Sequence, residues 1–162
     1  MTDVVSPINR REMMAGIKAK DTKPEMVVRR SLHRAGFRYR LHVKSLPGNP
    51  DLVFPKYNAV IFVNGCFWHR HSCHIFKWPK TRIRFWRDKL NGNKKRDDKN
   101  IALLLGSGWR VLQIWECALK GKYQLSIGSM VETSSSWLRS DTPYASVAGS
   151  NYKVNDSGKG TS

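Results

Sequence analysis

Cys66, His71 and Cys73 fall within eight residues, and Cys117 ends a later apolar stretch. Thiolates and imidazoles are the ligands of closed, tetrahedral zinc sites, and three cysteines with one histidine form a common set. These are all the cysteines of the chain, so no odd thiol is left over. The spacing departs from the Cys-x2-Cys of zinc fingers, and His69 and His74 compete with His71 for the fourth position. A zinc ion here would be structural, clamping the His-rich loop over 64–80 to the stretch that ends at Cys117.

A second chemistry needs hard oxygen ligands. Asp51 follows Pro50 at the head of a short apolar run, and Glu25 precedes it on a helix-forming stretch. Mg2+ takes one or two carboxylates and completes its octahedron with water and substrate phosphates. One carboxylate beside a basic surface therefore suffices once DNA arrives. The neighbouring run Ala59 to Val63 delivers Asn64 and then His69 towards the same edge. An imidazole with an ordinary pKa of about 6.5 can take or supply a proton during phosphodiester hydrolysis.

Residues 77–99 carry Lys77, Lys80, Arg82, Arg84, Arg87, Lys89, Lys94, Lys95, Arg96 and Lys99 against Asp88, Asp97 and Asp98. Phe85 and Trp86 interrupt this run, and Phe67-Trp68 lies upstream in the Cys/His loop. Basic side chains neutralise phosphates, and flat apolar ones can wedge between base steps. Filling a core is the competing role for these aromatics.

The elements that must position these groups are legible in outline. Thr22, Pro24 and Glu25 form a helix start, with Val28, Leu32 and Ala35 on one face and Gly36 as the stop. Phe37 to Val43 alternates as a strand. Asp51 to Phe54 and Ala59 to Val63, joined by Pro55-Lys56-Tyr57-Asn58, predict a hairpin of central strands. Helices are expected over 81–90 and 93–105, a strand from Trp109 to Trp115, and a final helix within 118–138. The order α-β-β-β-α-α-β implies an α/β protein, a small mixed sheet flanked by helices.

Three regions follow: a basic segment 1–20, a core over 21–138, and a flexible Ser/Gly/Thr/Asn-rich tail over 139–162. The chain has 162 residues with 29 Lys and Arg against 12 Asp and Glu, a net charge of +17. A polyanionic partner is the expectation. An odd cysteine count argues against a secreted disulfide framework. The first residues lack the apolar core of a signal peptide, and no run approaches a membrane span. A cytoplasmic protein is expected.

At Gly65-Cys66-Phe67-Trp68-His69, with Pro47-Gly48-x-Pro50-Asp51 before it and Trp109-Arg110-Val111-Leu112…Trp115-Glu116-Cys117 after it, the chain resembles the very short patch repair endonucleases. The resemblance runs from about Arg11 to Lys122. It implies a restriction-endonuclease-like core that uses Mg2+ to nick DNA 5′ of the thymine in a T:G mismatch left by 5-methylcytosine deamination. It implies Mg2+ on Asp51 and the backbone carbonyl of Val63, and zinc on Cys66, His71, Cys73 and Cys117. Phe67, Trp68 and Trp86 match the family's intercalating aromatics, and Met14 a residue entering from the opposite groove. Glu25, His69 and Asp97 match its other active-site positions.

Where the family commonly has His or Asp before the Gly-Cys, this chain has Asn64. An amide cannot shuttle a proton at neutral pH. Two other readings therefore stand beside the nicking enzyme: a mismatch-binding protein with weak or no nuclease activity, and a sequence-specific restriction-type nuclease. The expected substrate is double-stranded DNA bound by a monomer, away from membranes. A cytosine-5 DNA methyltransferase and a repair polymerase would be its functional associates.

Overall fold

The structure is a computed structural model, and residues 21–150 are described. The segment 1–20, with Met14, lies outside the described residues, as do residues 151–162 of the expected tail. The elements run α1 (Lys23–Arg34), β1 (Arg40–Leu41), β2 (Leu52–Phe54), β3 (Ala59–Asn64), α2 (Ile83–Gly106), β4 (Arg110–Trp115), α3 (Ile127–Arg139) and β5 (Tyr144–Val147). One mixed sheet has the order β1-β2-β3-β4-β5. Its first three strands are antiparallel neighbours, whereas β3, β4 and β5 run parallel.

The α1 start behaves as its residues demand. The Thr22 hydroxyl accepts from the Glu25 N–H at 3.3 Å, and the Glu25 carboxylate accepts in return from the Asp21 N–H at 2.8 Å. At the other end Gly36 takes φ +102°, which lets the Phe37 N–H reach the Leu32 carbonyl at 3.0 Å. Val28, Leu32 and Phe37 then join Leu52, Phe54, Ile61, Leu112 and Ile114 in the core between the sheet and α1 and α3. On the opposite face, Val53, Val60 and Val111 pack under Leu104 of α2. The central strands are covered on both faces, so they read as continuous apolar runs.

Three expectations are corrected. The stretch 37–43 pairs only at Arg40 and Leu41, because Phe37 and Tyr39 turn into the α1 core and His42 adopts φ +48°. The two helices over 81–105 are one helix of 24 residues. Gly92 and its asparagine neighbours weaken a helix by about 1 kcal/mol or less each, and this one is held at Leu90 and Leu104 and by Asn93, whose amide donates to the Trp68 carbonyl at 3.0 Å. The tail does not begin at 139, because Tyr144–Val147 adds a fifth strand beside β4, pairing Val111 with Tyr144 through Ile114 with Val147.

Arg110 fastens this edge. Its guanidinium donates to the carbonyls of Tyr57, Trp137, Leu138 and Thr142 and stacks on the Trp137 ring. One side chain thereby satisfies carbonyls at the C-terminal end of α3 and joins them to the head of β4.

Candidate active site and metal centre

The β2–β3 hairpin places Asp51 where its carboxylate meets the end of β3. The Val63 N–H donates to Asp51 Oδ2 at 2.8 Å, and the His42 N–H donates to the Asp51 carbonyl at 3.1 Å. Burial pushes the Asp51 carboxyl up to about 7, against the Val63 hydrogen bond that favours the anion. The Glu25 carboxylate on α1 adds to the rise. Glu25 itself is 1% exposed and is held by His42 Nε2 at 2.7 Å and Arg29 at 3.3 Å.

Beside Asp51 lies a cleft of about 220 Å3, lined also by Val63, Asn64, His69, Asp97 and Gln113. Four of the sequence-derived positions thus share one concavity with Asp51. His69 Nδ1 bonds Asp97 Oδ2, so a loop residue is oriented by a helix residue. That bond leaves Nε2 as the ring nitrogen not engaged by Asp97. Asn64 is buried at the end of β3, next to Trp115 in the ladder.

Two residues of this neighbourhood escaped the sequence reading. Gln113 is buried in β4 and accepts from the Tyr144 hydroxyl at 2.6 Å. A lone amide inside Val-Leu-Gln-Ile-Trp was the available signal. His42 carried no signal beyond its residue type.

The Cys66, His71, Cys73 and Cys117 ligand atoms all lie within 4.8 Å of one another. His71 Nδ1 is 3.5 Å from Cys66 Sγ and 3.7 Å from Cys117 Sγ. A tetrahedral zinc with its usual Zn–S and Zn–N bonds spaces sulfur and nitrogen ligands by about 3.5 Å. The donor set therefore fits a tetrahedral metal ion. His71 stacks on Trp115, with ring centroids 3.9 Å apart. His69 instead turns to Asp97, and His74 packs against the Tyr123 ring.

The wall behind the thiols is backbone. The Cys117 N–H donates to Cys66 Sγ and the Gly149 N–H to Cys117 Sγ, each at 3.3 Å. Hydrogen bonds from Cys66, from His71 and from Gly149 hold the Cys117 thiol below its ordinary range. At Gly149 a Cβ would stand 3.0 Å from the Cys117 carbonyl oxygen and 3.2 Å from that of Tyr123. A Cβ at these distances would make both carbonyls give by a few tenths of an ångström.

The aromatic residues gather where the loop meets α2. Phe67 lies edge-on to Trp68 and Trp86, with centroids 5.2 and 5.4 Å away, and Trp68 and Trp86 are 5.9 Å apart. All three are half-buried, whereas Phe85 and Trp78 beside them are exposed. Among the described residues no helix is long and apolar enough to cross a membrane.

The family described as DNA mismatch endonuclease Vsr matches residues 2–75. The chain is 49% identical over 119 residues to the type II nicking enzyme V.XorIIP of Xanthomonas oryzae pv. oryzae, covering 74% of this chain and 88% of that protein. It is 41% identical over 138 residues to DNA mismatch endonuclease Vsr of Escherichia coli, covering 85% and 88%. It is also 44% identical over 122 residues to the type II nicking enzyme V.NmeAIP of Neisseria meningitidis, covering 75% and 87%. Identity of this extent over most of both chains makes the chain a member of the DNA mismatch endonuclease Vsr family.

Proposed function

We propose that this protein is an Mg2+-dependent DNA endonuclease that nicks one strand 5′ of the thymine in a T:G mismatch arising from 5-methylcytosine deamination. The observation that carries the reading is that Asp51 and the His69–Asp97 pair face one cleft. The neighbouring relatives bear the names of a mismatch endonuclease and of nicking enzymes. The antiparallel-then-parallel sheet with helices on both faces is the arrangement expected of a restriction-endonuclease-like core.

Asp51, with the Val63 carbonyl, would hold Mg2+, which supplies Lewis-acid polarisation of the phosphate and an activated water when bound. His69, oriented through Nδ1 by Asp97, takes the proton of the attacking water on Nε2. Asn64 hydrogen-bonds in the cleft without exchanging protons. Glu25 adds a second carboxylate next to Asp51 and so makes cation binding there more favourable. Phe67, Trp68 and Trp86 wedge into the step beside the mismatch, and Met14 enters from the other groove. The Cys66, His71, Cys73 and Cys117 set would hold a structural Zn2+ that pins the wedge-bearing loop to β4. The protein acts as a monomer in the bacterial cytosol, after a cytosine-5 DNA methyltransferase has created the lesion's precursor and before a repair polymerase fills the patch.

Asn64 favours a second reading, a mismatch binder with little turnover. A strand-labelled duplex with one T:G pair separates the two. The nuclease reading requires a single nick 5′ of the thymine with Mg2+ and none with EDTA. Tight mismatch binding without a nick, cured by Asn64→His, would establish the binder.

A further inference from the structure

The outward face of α1 is a second basic surface, away from the aromatic loop. Met26, Arg29, Arg30, His33 and Arg34 line an open groove with Tyr39, and the groove measures about 500 Å3. Arg29 is engaged, at 2.6 Å from Asp21 and 3.3 Å from Glu25. Arg30 and Arg34, one helical turn apart, are exposed and form no ion pair among the described residues. Between residues 21 and 44 the only acids are Asp21 and Glu25, and Arg29 and His42 already hold them. Arg38 folds back on the carbonyls of His33 and Phe37, which keeps its charge at the same end of the helix.

This stripe has a fixed relation to the cleft. The first turn of α1 carries Glu25, which adjoins Asp51, and the helix then runs beside β2 until Phe37 meets Phe54 and Tyr57. Glu25 to Arg34 spans nine residues, about 13 Å at the α-helical rise. That length matches about four base-pair steps of a DNA strand. α1 and α2 lie on opposite faces of the sheet, with the aromatic loop beside α2 and this stripe on α1.

We propose that Arg30 and Arg34 form a phosphate track that binds the duplex arm flanking the nicked position. The proposal rests on the DNA-nicking reading above, but it concerns affinity and footprint rather than chemistry. Charge complementarity selects the occupant: exposed arginines with no counter-ion among the described residues suit the sugar–phosphate backbone, and the track carries no base-reading information.

The test compares wild type with the Arg30→Ala/Arg34→Ala and Arg30→Lys/Arg34→Lys chains on a T:G duplex. The slope of log affinity against log salt should become shallower by about 1.8 in the alanine chain, 0.9 for each lost phosphate contact. The lysine chain should keep the wild-type slope. The nicking rate at saturating duplex should be unchanged, and trimming one duplex arm should erase the difference between the chains. An unchanged slope and affinity in a folded alanine chain would overturn the track. So would a fall in saturated rate without a change in slope, which would mean that the arginines act through Glu25. If wild type binds with the full slope yet never nicks, the track stands and the nuclease reading fails.

Discussion

The Val63 amide donates to the Asp51 carboxylate at 2.8 Å across the β2–β3 hairpin. This bond aims a carboxylate at the end of β3 while burial and Glu25 oppose its charge, leaving its pKa at about 7. The site is therefore built at a cost to stability whenever the carboxylate ionises without a cation.

The sign of that cost gives a pH test. An Asp with a folded pKa near 7 and an unfolded value near 3.8 keeps its proton in the folded state over that interval. Stability falls as pH rises through it, and the protonated form's advantage is gone above pH 7. Asp51→Asn should leave the melting temperature nearly unchanged at pH 4 and raise it at pH 8 in EDTA, while abolishing nicking. Equal shifts at both pH values would contradict the buried-charge account.

Asp97→Asn should act through His69. An amide still bonds Nδ1 but no longer stabilises the imidazolium, so nicking should fall about 10²- to 10⁴-fold, the usual worth of general acid–base catalysis. Duplex affinity should change little. A variant that nicks at the wild-type rate would remove the His69–Asp97 pair from the proton transfer.

Much of this site was readable from the chain. Cys66, His71 and Cys73 announce themselves because ligands crowded into one loop need no tertiary knowledge, and Asp51 follows from the turn before β2. The choice of His71 over His74 was not readable from spacing, since stacking on Trp115 decides it. Nor was β5: Tyr144-Ala-Ser-Val sits in Ser-rich sequence, and its register comes from parallel pairing with distant β4. Gln113 acquires meaning only when Tyr144 arrives from that strand.

Gly149 closes the candidate metal centre from the segment after β5, so Gly149→Ala should loosen it. The added methyl crowds two carbonyl oxygens, and the shift of a few tenths of an ångström that relieves it weakens the N–H bond to Cys117 Sγ. Zinc should pass to a competing chelator at least tenfold faster, and the metal-loaded protein should melt at lower temperature. Gly106→Ala, where a Cβ meets nothing within 4 Å, should lose neither property. Identical zinc transfer from both variants would show that the backbone wall does not hold the site.

Trp68→Ala tests the wedge. Stacking by one aromatic is worth about 1–3 kcal/mol, so preference for T:G over matched duplex should drop by roughly tenfold or more. Affinity for matched duplex should barely change, because phosphate contacts supply it. A uniform loss on both duplexes would return Trp68 to a packing role beside Phe67 and Trp86.

The most direct measurement is the single-turnover nicking rate in Mg2+ on two duplexes of identical flanks, one with T:G and one with C:G at the same position. A nick confined to the T:G duplex, 5′ of the thymine and lost in Asp51→Asn, is the predicted result. Equal cutting of both duplexes, or full activity without the Asp51 carboxylate, would contradict a site in which that carboxylate and the aromatic loop act on the same distorted step.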